Sequence, residues 1–170
     1  MARISINGMG RIGRALLKLV LDEPELELVA MNDLVSPENI AYLIRYDTVY
    51  GRYDRTVEAG DGKLTIDGKH YRFLQEKDPA ALPWADESID IVLESTGVFT
   101  KREDLEKHIE AGAKHVLLSA PSKSDDVVTV VHGVNKPGGN GGPFIVSCAS
   151  CTTNCITPVV EIVGRRVGIR

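Results

Sequence analysis

The chain has 170 residues, enough for one domain with a real core and too few for a second full one. Hydrophobic residues at 43% and charged residues at 26% exclude a long disordered tail. A formal net charge of -4 leaves no basic surplus for a nucleic acid partner. No stretch approaches the roughly 18 apolar residues of a membrane helix, and the start lacks a charged and then apolar leader. A cytoplasmic protein without a membrane partner is expected.

Arg3 to Ile6 alternate and run into Gly8, after which Arg11 to Leu21 place Ile12, Ala15, Leu16 and Leu19 on one helical face. Pro24 stops that helix, and Leu26 to Met31 form an apolar run ending in Asn32 and Asp33, as a buried parallel strand would. Ser36-Pro37 supplies an N-cap and a first-turn proline for a second helix through Ile40, Leu43 and Ile44. Lys63 to Ile66 and His70 to Leu74 then alternate across Asp67-Gly68, which predicts an antiparallel hairpin.

The α/β rhythm resumes with a strand at Ile89 to Leu93, and Thr100 with Glu103 reads as a capping box for a helix ending near Gly112. Further strands are expected at His115 to Ser119, Val127 to Val131 and Phe144 to Ser147, with a glycine-rich surface turn over Lys136 to Pro143. This order of strands and crossovers predicts a doubly wound, mostly parallel α/β sheet of Rossmann type with an inserted antiparallel hairpin.

Gly8-Met9-Gly10-Arg11-Ile12-Gly13 is a G-x-G-x-x-G run placed after a strand and at the opening of a helix, where a dinucleotide fingerprint must lie. Gly8 permits the tight turn, Gly10 leaves room for a pyrophosphate, and Gly13 lets helix and strand approach. Amides at the helix start face the phosphates. Asp33, twenty residues beyond Gly13, is placed to accept hydrogen bonds from the adenosine ribose and to repel a 2′-phosphate, which favours NAD over NADP. The fingerprint alone does not separate NAD from FAD.

Cys148, Cys151 and Cys155 fall within eight residues and are odd in number, which does not describe a disulfide framework. Zinc lacks a fourth ligand, since no histidine follows His132. Cys151 lies where a strand meets a helix, so free amides and the helix dipole favour its thiolate. Burial as a small hydrophobe is the competing reading of that position. Cys148 is expected in the strand, and Cys155, one turn beyond Cys151, is expected to pack in the core. Pro158 should delay or kink the last helix. Among the histidines, His70 and His108 are expected on solvated faces, while His115 and His132 read as structural; none is an obvious base for Cys151.

The segments INGMGRIGR, ESTGVFT at Glu94 to Thr100, SAPSK at Ser119 to Lys123 and SCASCTTNC at Ser147 to Cys155 resemble the glyceraldehyde-3-phosphate dehydrogenase family along the whole chain. Met9 stands where that family more often has Phe. The resemblance implies that Arg11 and Ile12 contact the pyrophosphate, Asn32 and Asp33 border the adenosine ribose, and Lys77 lies near the adenine. It also implies that Thr96 and Gly97 line the cofactor groove and that Ser119 approaches the nicotinamide. Cys151 corresponds to the nucleophile, and Ser150 and Thr152 to groups that hold a phosphate.

The implied cofactor is NAD, the implied substrates are glyceraldehyde 3-phosphate and inorganic phosphate, and the implied assembly of the full-length protein is a homotetramer. Residues 1–150 would form the NAD-binding domain and 151–170 the start of a catalytic domain. The family's activating histidine falls shortly beyond Arg170, so these residues alone should bind NAD without efficient turnover. Erythrose-4-phosphate dehydrogenase shares most of these motifs, and an NAD-binding module with an inert Cys151, or a redox-sensing domain, stays open at this point.

Overall fold

β1 (Ala2–Asn7) is buried on both faces along its second half, as the central strand of a parallel sheet requires. In the computed structural model, which describes residues 1–137 and 144–169, β1 pairs in parallel with β2 (Leu26–Asn32) on one side and with β8 (Ile91–Glu94) on the other. Beyond β2 come β7 (Lys69–Leu74), β6 (Lys63–Ile66) and β5 (Val57–Gly60); β7 is parallel to β2, and β6 runs antiparallel to both β7 and β5. Beyond β8 come β9 (His115–Leu118), β11 (Phe144–Ser147) and β10 (Val128–Thr129), all parallel. The nine strands make one sheet, so the predicted hairpin extends the parallel sheet. A small separate pair, β3 (Tyr46–Asp47) with β4 (Gly51–Arg52), had no periodic signal in so short a span.

The hairpin turns obey local chemistry. Asp61-Gly62 and Asp67-Gly68 all have positive φ, the pattern whose twist matches that of antiparallel strands. Helix α1 (Arg11–Asp22) and α2 (Pro37–Arg45) cover one face, where Leu17, Val20, Ile40 and Ile44 pack on Ile4, Ile6 and Met31. Met9 is fully buried in the same cluster. A short 3-10 turn (Pro79–Ala81) and α3 (Arg102–Glu110) cover the other face, over Trp84, Ile89 and Val92 in one cluster and Leu105, Val116 and Leu118 in the next. The Ser36 hydroxyl caps α2 as predicted.

Several local expectations are corrected. Helix α1 buries Gly13, Leu17 and Val20 and leaves Ile12 and Leu19 exposed; the backbone contact at Gly13 sets the rotation of the helix, and the apolar stripe follows it. The capping box does not form. Lys101 is the N-cap of α3, Thr100 is buried, and the Arg102 N–H donates instead to the Ser124 hydroxyl. The strand expected over Val127 to Val131 shortens to β10, and Cys148 falls just after β11. The final helix, α4 (Cys151–Val167), starts at Cys151 and runs through Pro158, so the proline does not delay it. No residue of α4 is buried, and Cys155 is exposed rather than in the core. The glycine-rich turn lies largely outside the described residues.

Asp90 ties together the starts of the neighbouring parallel strands β1, β8 and β9. Its carboxylate accepts from the Arg3 N–H at 2.8 Å and from Lys114 Nζ at 2.6 Å. The Arg3 N–H first, and Lys114 second, hold the carboxyl below its ordinary value of 3.8. Such a group stabilises the fold above that value and loses its contribution as the pH falls through the lower, folded-state one. In urea melts, Asp90→Asn is expected to cost up to about 1 kcal/mol at pH 7, a deficit that shrinks below about pH 4. A deficit that stays constant with pH would contradict this.

Candidate functional site

Helix α1 opens without a capping side chain, without an acidic residue in its first turn and with Gly10 as its N-cap. Its first amides therefore present partial positive charge to whatever lies beyond the carboxyl ends of the strands. Two contacts force glycine here. Gly8 has φ +93, and a Cβ on it would lie 2.5 Å from the Thr96 backbone nitrogen; a Cβ on Gly13 would lie 1.9 Å from the Gly8 carbonyl oxygen. A Cβ on Gly10 would meet nothing within 4 Å, so its small size matters to the space outside the protein and not to its packing.

That space is a cavity of about 720 Å³ at the carboxyl ends of β8, β1, β2 and β7, bounded by Gly8, Gly10, Asn32, Asp33, Lys77 and Thr96 among others. It lies where the strand order reverses about β1, the topological switch point at which open α/β sheets bind ligands. Arg11 and Ile12 are exposed on the first turn of α1, Gly97 is exposed with φ +73, and Ser119 directly follows β9 with its N–H donated to the Glu94 carbonyl. None of these four, nor Gly13, lines the cavity. Asp33 accepts from the Met9 N–H at 2.6 Å and from the Val35 N–H at 2.9 Å. One carboxylate thus fixes the glycine turn and still has lone pairs facing the cavity.

Behind the cavity, and reaching it at Asn7, Asn32, Glu76 and Thr96, runs a buried hydrogen-bonded ladder that sequence reasoning missed. The Trp84 indole N–H donates to His108 Nδ1 at 3.0 Å, and His108 Nε2 lies 3.1 Å from Glu94 Oε2. The Asn7 amide donates to the same oxygen at 2.6 Å, and Asn32 donates to Asn7 Oδ1 at 2.7 Å and to the Glu76 carbonyl at 2.8 Å. The Glu76 N–H returns to Asn32 Oδ1 at 2.8 Å, and Glu94 Oε1 takes both the N–H and the hydroxyl of Thr96. Trp84, Glu94 and His108 are all fully buried. The expected solvated His108 is therefore corrected: Leu105 and His108 share the inward face of α3, an i, i+3 spacing that was visible in the sequence. The side-chain donors of Asn32 and Thr96 are spent within the ladder, so both residues serve the cavity by shape.

At the other site, β11 passes into α4 through Cys148, Ala149 and Ser150. Ala149 adopts φ +62, a left-handed conformation that costs roughly 1 kcal/mol for a residue with a Cβ. The turn is clamped: Ser147 Oγ accepts from the Ala149 N–H, and the Asn154 amide donates to the carbonyls of Cys148 and Ser150. The Ser150 hydroxyl caps the helix at the Thr153 N–H and lies 2.8 Å from the Thr152 hydroxyl. Cys151 is consequently the exposed first residue of α4, whereas Cys148 is half-buried and burial pushes its thiol pKa up. No histidine hydrogen-bonds Cys151 among the described residues: His70 meets Thr65, His115 stacks on Phe144, and His132 is exposed in the turn after β10. No group of three or more His, Cys, Asp or Glu among the described residues is placed to hold a metal.

Residues 2–102 match the family described as the NAD binding domain of glyceraldehyde 3-phosphate dehydrogenase. The chain belongs to that family. It is 46% identical over 167 residues to the glyceraldehyde-3-phosphate dehydrogenase of Mycoplasma pneumoniae, covering 98% of this chain and 50% of that protein. The same enzyme of Thermotoga maritima is 44% identical over 171 residues (99% and 51%), and that of Geobacillus stearothermophilus 45% over 168 residues (98% and 50%). The chain spans about half the length of these relatives. NAD is the cofactor that this family of domains binds, and the site fits it: uncapped amides, side-chain-free space at Gly10, and an acid at the far edge.

The two glycines separate packing from binding. Gly13→Ala should lose about 3 kcal/mol in chemical denaturation, because a methyl group cannot share space with the Gly8 carbonyl. Gly10→Ala should keep stability to within about 1 kcal/mol and weaken NAD binding at least about tenfold in calorimetry. Equal NAD affinity in Gly10→Ala and the unsubstituted chain would show that the diphosphate does not sit there.

Proposed function

We propose that residues 1–150 are the NAD-binding unit, and 151–170 the first part of the catalytic unit, of a phosphorylating, cytoplasmic glyceraldehyde-3-phosphate dehydrogenase. The observation that carries this reading is the pairing of an uncapped α1 terminus at the cavity with an exposed cysteine at the start of α4. Arg11 and Ile12 approach the pyrophosphate from outside the cavity, Asp33 accepts from the adenosine ribose, and Lys77 lies by the adenine. Gly97 and Ser119 border the path toward the nicotinamide. NAD, when bound, supplies a hydride acceptor.

The Cys151 thiolate adds to the aldehyde carbon of glyceraldehyde 3-phosphate to give a hemithioacetal. Loss of a hydride from that carbon, and of the hydroxyl proton, leaves a thioester on Cys151. Inorganic phosphate then attacks the thioester carbonyl and the thiolate departs, giving an acyl phosphate and the free enzyme. Sulfur suits both halves, since it attacks well and leaves well. Ser150 and Thr152, whose hydroxyls meet at the α4 terminus, hold a phosphate group there. The general base comes from elsewhere in the full-length protein, since His108 is committed to Glu94 and Trp84. The full-length protein acts as a homotetramer.

Titration of the chain with NAD in a calorimeter tests the reading, and no heat at millimolar NAD in a folded sample would sink it. Iodoacetamide at pH 7 should label Cys151 before Cys148, whose labelling should rise only at alkaline pH because its thiol is raised by burial. Mass mapping that finds Cys148 labelled first would remove Cys151 from its role. The chain by itself should turn over glyceraldehyde 3-phosphate at least about a hundredfold more slowly than a full-length relative, for want of a base.

A further inference from the structure

We propose that His108 and Trp84, neither of which lines the cavity, are positioning residues that set NAD affinity through Glu94. The inference rests on the reading of the cavity as the NAD site. An indole can only donate, so the 3.0 Å contact from Trp84 makes His108 Nδ1 an acceptor. The ring proton then resides on Nε2, from which it is donated to Glu94 Oε2 at 3.1 Å. Trp84 is thus a tautomer lock. The opposite tautomer would set a lone pair against a carboxylate in a site without water access, at a high cost.

Glu94 distributes what it receives. With no exposure, it must keep its donors, and they sit on two walls. Its Oε1 holds the Thr96 N–H and hydroxyl, and the Thr96 hydroxyl oxygen in turn accepts from the Val98 and Phe99 N–H groups. Its Oε2 holds Asn7, and through Asn7 and Asn32 it indexes Glu76 on the opposite side. Thr96, Val98 and Phe99 form one wall and Glu76 with Asn32 the other. The width of the groove is therefore referred to a single buried carboxylate, whose orientation His108 fixes from behind. A merely structural role would cost stability and leave the affinity of the folded molecules alone.

NAD affinity is measured by calorimetry on His108→Leu, His108→Gln and Trp84→Phe, with thermal melts to show that each folds. His108→Leu removes the donor and should weaken NAD about tenfold. His108→Gln returns an amide N–H toward Glu94 and should recover affinity to within about threefold of the unsubstituted chain, even if its melting temperature stays low. Trp84→Phe releases the lock and should fall between the two. If His108→Leu folds and binds NAD within about twofold of the unsubstituted chain, or if glutamine binds no better than leucine, the proposal is overturned. Should the leucine variant not melt cooperatively, Trp84→Phe decides, and an affinity equal to that of the unsubstituted chain overturns the proposal. Absence of NAD binding by the unsubstituted chain overturns the cavity reading itself and this inference with it, which distinguishes the two failures.

Discussion

The organising constraint is a backbone approach that no side chain permits. Gly8 lies against Thr96 at the end of β8, and Gly13 lies against the Gly8 carbonyl, so the first turn, the first helix and the fourth parallel strand meet at contact distance. Much of what lines the cavity is hung on this meeting. The α1 amides open on the cavity because the helix is pressed down at Gly13, and the Ser95 hydroxyl holds the turn by donating to the Gly8 carbonyl at 3.0 Å. Asp33 completes the clamp from the other side through the Met9 N–H. A rigid cradle of this kind spends little entropy on receiving a dinucleotide, which is how preorganisation raises affinity without adding contacts.

Much of this was legible in the amino-acid order because the chemistry is local. Gly8, Gly10, Gly13 and Asp33 are read from spacing along one βαβ unit, and Asp67-Gly68 between alternating runs names its own turn. What was not legible is long-range and polar. Trp84, Glu94 and His108 share no motif or periodic spacing in the chain; the sequence assigned no role to Trp84, met Glu94 only at the head of a segment, and put His108 on a solvated face. Only the sheet order, which sets Asn7 beside Glu94, makes them one system. Helix α1 shows the converse error, since an apolar stripe through Ile12 and Leu19 was outvoted by a single backbone contact. Thr100 failed as a cap because Ser124, on a different loop, supplied the oxygen first.

The cysteine junction follows a different logic from the glycine cradle. There the chain accepts a left-handed alanine and restrains it with the Asn154 amide and the Ser147 hydroxyl. Strain held by several hydrogen bonds fixes a side chain to a point in space, and that point is the sulfur of Cys151 at a helix start. Burial separates the thiols as well: Cys148 is half-withdrawn toward the core, whereas Cys151 and Cys155 are exposed on α4.

Among the described residues the sheet ends in β10 at one margin and β5 at the other, and both are brief. β10 contributes two residues at one margin, and at the other β5 contributes four, ending in a glycine. Long open strands invite a neighbouring molecule to continue the ladder of backbone hydrogen bonds, and short ones give it little to copy. A nine-stranded sheet terminated in this way can carry an extended parallel centre without becoming a seed for fibres, so the brevity that made β10 hard to read in the sequence serves as protection against polymerisation.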